Sequence, residues 1–586
     1  MMICFSRRAH DRIAPFGVLV LVTIFGARAQ AAPEDVVKAP EEPPARASPE
    51  ATEKHEPLFI KGELAHPGTV RMLSRFNHAG VAIGPSFLDS SMYLGVDPGF
   101  AWYKDWGAVS LHVPLNLRAV QLDGANPRYG GLDIRGADWD ERSEIARFIR
   151  FVTIGRKEDN LYLTLNSLRP STLGYGMLLD AYQPLIDLNR SLTGLTFDWY
   201  NDYGGVQVQA NDITFENTVM GTLAFVKPIA ALSAGLGLPS WADGLAAKTL
   251  SVGVEYMADY QAPRCIRTSE RSEECVRGQG QVAGLDPATE VPVDHTFVNT
   301  RRDTGRYAVK TAVVQAIGSS IETKVFKDDV TDIKLYTTYH HYLNDGGGDG
   351  VSLGSLGRFS LGTDWINAFR TRVAYVAYGD GFLPSYFNTN YEVAKYETNF
   401  SQRVAQATPT RYQAVFGDPA SGFARPDIGL RHGVRVDAQW GLFRERRQNK
   451  QISAAIGFSD STGPFDSNFY VHLEFPMLRW LQLFGTYMRI NGESVGGTLD
   501  VAGRFDSGDT VVLSGIRAEL FTRVLHLNVH YSRAYQVVRS PGSEYHLGNA
   551  AVVDRTGAPT PFAPDRLFET RDALFVQLEA GYELPN

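Results

Sequence analysis

The sequence predicts an all-β protein, a closed antiparallel transmembrane β-barrel of about 20 strands (range roughly 16–22) with long extracellular loops. Two observations predict this fold. After residue 31 the chain contains no run of about eighteen uncharged apolar residues, so no transmembrane helix is expected. From about Asn77 onwards, segments of about ten to fourteen residues alternate apolar and polar positions, and this length suits a tilted strand that crosses a membrane.

The N-terminal region is expected to be an export signal followed by a leader. Three Arg residues precede an apolar stretch, Ile13 to Phe25, and small residues follow at the spacing of a signal-peptidase site. An N-terminal membrane anchor is the alternative, although this stretch is short for a membrane span. We predict a signal peptide over residues 1–31, a disordered Pro-, Glu- and Ala-rich periplasmic leader over 32–58, and the barrel over 59–586.

The last predicted strand, Ala573–Leu584, shows the alternation most clearly. One face carries Leu574, Val576, Leu578, Ala580, Tyr582 and Leu584, and the other carries Phe575, Gln577, Glu579, Gly581 and Glu583. A charge on the lipid face costs about 2–4 kcal/mol at the membrane midplane. The second face is therefore expected to line the lumen.

Twenty such segments are predicted along the chain. They lie near residues 78–87, 91–103, 106–120, 146–157, 160–172, 191–201, 204–214, 218–230, 247–260, 305–316, 330–343, 356–365, 367–379, 434–443, 451–461, 467–477, 480–491, 510–521, 523–537 and 570–584. Long connections, such as 121–145, 261–304 and 380–433, all follow odd-numbered strands, as expected when long loops are extracellular and short turns are periplasmic. An exported chain with this pattern is expected in the outer membrane of a Gram-negative cell.

Charge and cysteine content limit the function and the compartment. The chain has a net charge of −8, and residues 1–31 hold four Arg and one Asp, so the exported chain is more acidic still. This balance argues against a nucleic-acid partner. After residue 31 only Cys265 and Cys275 remain, and two neighbouring cysteines outside the cytosol are expected to form a disulfide. A metal or redox pair is the alternative, but residues 261–290 offer no His and no further Cys.

Two segments resemble known outer-membrane proteins. Phe151 to Ile213, with the turn Thr172-Leu-Gly-Tyr-Gly176, is similar to a segment of large, mostly uncharacterised outer-membrane barrel proteins. Glu579, Gly581 and Leu584 resemble the C-terminal assembly signal of such proteins, which Asn586 departs from by replacing the final aromatic residue. The resemblance implies a barrel with a transport role and no defined substrate. It also implies three partners: outer-membrane lipids, lipopolysaccharide and the assembly machinery that binds the C-terminal strand.

The segment 177–190 is the candidate functional loop. Leu178, Leu179, Leu185, Ile186 and Leu188 need an apolar surface to cover them. The loop either folds into the lumen or packs on neighbouring extracellular loops. In the first case Asp180, Asp187 and Arg190 would form a charged constriction.

Signals for enzymes, metals and cofactors are weak. The sequence contains no GxSxG, HExxH or P-loop motif, so no enzyme activity, no cofactor and no metal are predicted. His340, His526 and His530 are expected to line the lumen, and a catalytic or metal role is the less favoured interpretation. Asn344 to Gly350 lacks the bidentate Glu of a calcium loop and is expected to be a flexible Gly-rich turn.

The favoured function is a porin-like channel that passes small solutes through a polar lumen narrowed by inward loops. The alternatives are an outer-membrane anchor whose long loops bind a partner and, less favoured, a barrel-borne hydrolase. The chain between residue 31 and the first predicted strand is too short for a full plug domain, although residues 58–75 could form a short hatch. The oligomeric state is left open.

Overall fold

Twenty antiparallel strands form one closed sheet in the computed structural model. The structure describes residues 64–65, 77–88, 91–104, 106–121, 128–129, 131–139, 141–155, 157, 159–166, 170–183, 187, 190–216, 219–236, 244–267, 275, 309–362, 365–396, 409–421, 423, 425, 427, 429–444, 449–461, 467–475, 480–492, 510–521, 524–537, 552–553, 559–560 and 568–583. All of them belong to one compact unit, Pro57–Asn586. The predicted signal peptide and leader lie outside the described residues.

The strands of the described residues are numbered in chain order. They are β1 (His78–Leu88), β2 (Ser91–Lys104), β3 (Gly107–His112), β4 (Leu115–Gln121), β5 (Arg128–Tyr129), β6 (Ile149–Ile154), β7 (Leu161–Asn166), β8 (Gly194–Tyr200), β9 (Gly204–Ala210), β10 (Val219–Val226), β11 (Ser251–Ile266), β12 (Val309–Lys327), β13 (Thr331–Tyr342), β14 (Asp349–Leu361), β15 (Trp365–Tyr378), β16 (Arg431–Arg444), β17 (Asn449–Ser461), β18 (Ser467–Phe475), β19 (Leu481–Gly492), β20 (Thr510–Phe521), β21 (Leu525–Val537), β22 (Val552–Val553), β23 (Pro559–Thr560) and β24 (Phe568–Glu583). β22 and β23 pair only with each other.

Short helices occur in the connections. The α-helices are α1 (Arg142–Ile145), α2 (Pro228–Leu236), α3 (Leu245–Thr249), α4 (Tyr391–Ala394) and α5 (Arg411–Phe416), and the 3₁₀ turns are Gly136–Asp138, Ala146–Phe148 and Pro419–Ser421. No helix of the described residues has both the length and the apolar content needed to cross a membrane.

Pairing of the first and last strands closes the barrel. β1 pairs with β2 on one side and with β24 on the other, in register from His78 opposite Glu583 to Phe87 opposite Leu574. β3 and β4 are two parts of one interrupted strand, since both pair with β2. With β3 and β4 counted as one strand, and with the two-residue β5 left out because it pairs only with the end of β4, the sheet has 20 strands and the predicted barrel of about 20 strands is confirmed.

The outer face of the barrel is apolar and carries an aromatic belt. Val254, Leu353 and Leu578 point outwards with 63%, 62% and 49% of their surface exposed. The exposed indoles lie where short connections join the strands: Trp106, Trp199, Trp365 and Trp480. An apolar band edged by aromatic residues is the surface of a barrel in a lipid bilayer. The protein is an outer-membrane β-barrel, and the end with the short connections faces the periplasm.

Several boundaries differ from the sequence prediction, and the predicted strand 305–316 extends to Lys327 as β12. The predicted strand 218–230 ends at Val226, and Pro228 then begins α2, because proline is tolerated in the first turn of a helix but has no N–H for a strand ladder. The connection 227–250 is therefore a long one on the periplasmic side. The predicted loop 344–355 is shorter than expected because β14 begins at Asp349.

Candidate functional site

Two loops fold into the lumen. The first inner loop (described residues 170–183, 187 and 190–193) joins β7 to β8, and the second inner loop (379–396 and 409–421) joins β15 to β16. Their residues Leu178 and Phe387 are fully buried, and they belong to one apolar cluster with Met257, Val314 and Tyr342 of the barrel wall. These wall residues alternate with exposed outward residues, so they face inwards. The described residues of the segment 177–190 therefore lie in the lumen, which is one of the two locations considered for it.

The turn resembling other outer-membrane barrels holds the tip of the first inner loop. Gly174 and Gly176 have φ values of +54° and +78°, and a Cβ at Gly176 would lie 2.4 Å from the Asp180 Oδ1 atom. Glycine is therefore required at Gly176 for both conformation and space. Between these glycines, the ring of Tyr175 stacks on Tyr336 of β13 with 3.7 Å between the centroids. This anchors the loop tip to the barrel wall.

A network of four charged side chains joins this loop tip to β15 and β16. The Arg372 guanidinium donates to Asp180 at 3.0 and 3.3 Å, and its Nε donates to Asp437 at 2.7 Å. Arg435 lies 3.6 Å from Asp180 Oδ2 and donates to the Gly176 carbonyl at 3.0 Å and to the Ser385 hydroxyl. Ser385 belongs to the second inner loop. The network therefore connects both inner loops to the wall.

Two cavities meet at this network. The periplasmic cavity has a volume of about 490 Å³ and reaches the periplasmic connections at Asn201, Lys227 and Lys327. The extracellular cavity has a volume of about 470 Å³ and is lined by the second inner loop and the outer ends of β16 to β19. Four residues line both cavities: Asp180, Ala181, Asp437 and Tyr470. The charged network therefore lies at the boundary between the two cavities.

A second buried network fixes the two inner loops to each other. Glu392 of α4 is 1% exposed. It accepts hydrogen bonds from Arg190 at 2.8 Å, from Lys395 at 2.7 Å and from the Tyr182 hydroxyl at 2.5 Å. Burial alone would raise the pKa of Glu392, but the positive charges of Lys395 and Arg190 outweigh burial and lower that pKa to about 2. Glu392 is therefore a carboxylate at every physiological pH.

Of the three predicted constriction residues, two are neighbours, since the Arg190 N–H donates to the Asp187 carbonyl at 3.2 Å, and Asp180 lies elsewhere. Asp180 lies at the boundary of the cavities with Arg372, whereas Arg190 pairs with Glu392 and, at 3.3 Å, with Glu141. Asp187 is 3% exposed, and its backbone forms a parallel bridge with Tyr535 of β21. Leu185, Ile186 and Leu188 lie outside the described residues. The structure therefore brings Asp180 together with wall arginines and not with Arg190.

Sequence reasoning missed Arg372, Arg435, Asp437 and Glu392. The three strand residues occupy lumen-facing positions, since each alternates with an exposed apolar neighbour such as Val373 or Val436. That alternation was a usable signal for the face they lie on. Their partners could not be found in this way, because no sequence period relates Arg372 to Asp180.

The other candidate residues have structural partners in the lumen or at the outer end. His340 is buried and lies 3.0 Å from a carboxylate oxygen of Glu255, while His526 and His530 are buried on β21. Cys265 and Cys275 are joined in a disulfide. The candidate calcium segment 344–350 is a turn that leads into β14, and the Asp349 carboxylate accepts from the Tyr339 hydroxyl at 2.5 Å.

Comparison with known proteins gives only distant likenesses. Neither a protein-family model nor a curated protein matches this chain. Similar solved structures include Wzi of Escherichia coli, titled an outer-membrane protein involved in group 1 capsule assembly and a carbohydrate-binding β-barrel, at 11% identity over 87% of this chain and 85% of that one, with a TM-score of 0.26. OccK11 of Pseudomonas aeruginosa is 10% identical over 90% of this chain and 100% of that one, with a TM-score of 0.28. The ferric enterobactin receptor PfeA of the same organism is 9% identical over 87% of this chain and 81% of that one, with a TM-score of 0.29. These likenesses carry no functional argument.

Proposed function

We propose that this protein is an outer-membrane channel for small solutes, narrowed by its two inner loops. The observation that supports the proposal is the pair of cavities that meet at charged side chains of the wall and of the first inner loop. A barrel of about twenty strands is too wide to be filled by wall side chains alone. Here the inner loops fill part of the lumen and leave space towards both mouths. Opposed charges at such a boundary select solutes by size and charge.

The first test places a single thiol at the boundary. Ala181 lines both cavities, and in a Cys4→Ser background Ala181→Cys is the only free thiol, because Cys265 and Cys275 are bonded. We expect the purified barrel to give stable ohmic steps in a planar bilayer. We expect a charged methanethiosulfonate reagent to reduce these steps by about half or more when it is added on either side of the membrane.

The matched control is Asp349→Cys, whose side chain is 58% exposed on the outside of the wall and whose modification is expected to leave the steps unchanged. Absence of conductance from a barrel that remains heat-modifiable on gels would overturn the proposal. In that case a surface anchor with partner-binding loops would be the better account.

A further inference from the structure

We infer that the periplasmic cavity binds small organic anions that carry two or more carboxylate or phosphate groups. This inference names the solute class of the proposed channel and rests on that proposal for its transport role. The cavity is placed on the periplasmic side by its lining, which includes Asn201 and Lys327 at two short connections and Lys227 at the start of the longer periplasmic connection 227–250.

The lining of this cavity is strongly cationic. It contains eight Lys and Arg side chains, among them Lys227, Lys324, Lys327 and Arg370, against four carboxylates. The formal charge of the lining therefore has an excess of four positive charges, although the chain as a whole has a net charge of −8. Cations gathered in a cleft with low-dielectric walls concentrate their field and raise the local concentration of anions.

The four carboxylates are each close to a cation of the same lining. Asp332 lies 2.5 Å from Lys324, and Glu322 lies 3.5 Å from Lys334. Asp180 and Asp437 share Arg372 at 3.0 and 2.7 Å. Lys324, Lys334 and Arg372 thus lie against all four carboxylates of the lining, and the lining as a whole has an excess of four positive charges.

The pKa of Lys227 is a second, independent indication that this cavity is cationic. Lys227 follows the last residue of β10 and lies at the mouth of the cavity. Partial burial and the nearby positive charge of Lys334 lower the pKa of the Lys227 ammonium, and together they outweigh the opposing effect of the Asp202 carboxylate. A bound oxyanion would relieve both effects, because it replaces lost hydration and opposes the neighbouring charge.

The size and the remaining lining of the cavity suit an organic anion rather than a bare halide. A volume of about 490 Å³ falls in the range of small-molecule pockets. Tyr175, Tyr200, Phe225 and Tyr470 supply aromatic faces for the carbon skeleton of a solute. Arg side chains bind carboxylate and phosphate oxygens in a forked geometry, and Lys binds them as a point charge.

The test measures binding separately from transport. Citrate and pyrophosphate are titrated into the detergent-solubilised barrel by isothermal calorimetry. We expect measurable binding to the wild type and about tenfold weaker binding to the double variant Lys227→Gln with Lys327→Gln. The control Lys104→Gln removes a lysine at the same end of the barrel that lies by Trp102 and outside the lining, and we expect it to bind as the wild type does.

Transport is read from the reversal potential in a KCl gradient. We expect a preference for chloride that the double variant reduces and Lys104→Gln retains. No binding of either anion, or equal loss in the double variant and the control, would overturn the anion site. Conductance with cation preference and no citrate binding would contradict this inference and leave the channel intact. Citrate binding by a barrel that does not conduct would contradict the channel and retain the site.

Discussion

Arg372→Ala is expected to raise the single-channel conductance about twofold and to shift the channel towards cations. The guanidinium of Arg372 contacts Asp180 and Asp437 and also donates to the Tyr175 carbonyl at 3.1 Å. Without it, two carboxylates at the boundary of the cavities lose a shared positive charge. The tip of the first inner loop also loses two charge-assisted hydrogen bonds to β15, which join side chains that are only 15% and 16% exposed.

The matched control is Arg370→Ala, two residues earlier on the same lumen face. Both arginines line the periplasmic cavity, and Arg372 also pairs with Asp180 and Asp437, which line both cavities. The substitution Arg370→Ala changes the charge of the lumen by the same amount as Arg372→Ala. We therefore expect some loss of anion preference without the rise in conductance. Equal conductance in the two variants would show that Arg372 acts only through its charge and does not hold the loop.

Glu392→Gln is expected to lower the free energy that holds the two inner loops together by about 3 kcal/mol or more. Glutamine keeps the size of the side chain and can still accept from Tyr182, but Arg190 and Lys395 lose the charge of the Glu392 carboxylate, and Arg190 retains its contact with Glu141 at 3.3 Å. The measurement is amide hydrogen exchange over Tyr391–Ala394. Exchange should become about a hundredfold faster if docking is weakened by this amount.

The pH dependence of the wild type follows from the same residue. The pKa of Glu392 is about 2 in the folded protein and 4.5 when the group is unperturbed. Its contribution to docking is therefore fully present above pH 4.5 and is lost as the pH falls from 4.5 towards 2. We expect protection of the second inner loop to fall across this window in the wild type and to lack this fall in Glu392→Gln.

Glu519→Gln is the control for both measurements. Glu519 lies near the periplasmic end of β20, where its backbone N–H donates to the Trp480 carbonyl. The substitution makes the same chemical change away from the loops. If exchange over Tyr391–Ala394 rises equally in both variants, the Glu392 network does not hold the loops.

The strand pattern was predictable because each residue of a membrane-spanning strand faces either lipid or lumen. Each position therefore needs an apolar or a polar residue according to the side it faces, and this requirement appears in the sequence as an alternation with a period of two. In β24, Leu578 and Tyr582 are exposed on the outside while Gln577 is buried, as the alternation predicts. Short turns and long loops then indicated the strand count and its direction through the membrane.

The position of the inner loops was not predictable in the same way. Leu178 and Leu179 showed that the first loop needed apolar cover, and two locations satisfied that need equally well. The inward location depends on contacts with residues that are distant in sequence. Phe387 forms a parallel β-bridge with Leu179, and Met257 and Val314 of the wall pack in the same apolar cluster.

The sequence by itself therefore determined the barrel fold, its location in the outer membrane, and the face of each strand that lines the lumen. Only the tertiary structure decided which charges meet inside. Asp180 pairs with Arg372, which lies 192 residues later in the chain, and Arg190 pairs with Glu392, which lies 202 residues later. The physical reason is that lipid acts on every strand residue separately, whereas an ion pair in the lumen depends on closure of the whole sheet and on the path of two long loops.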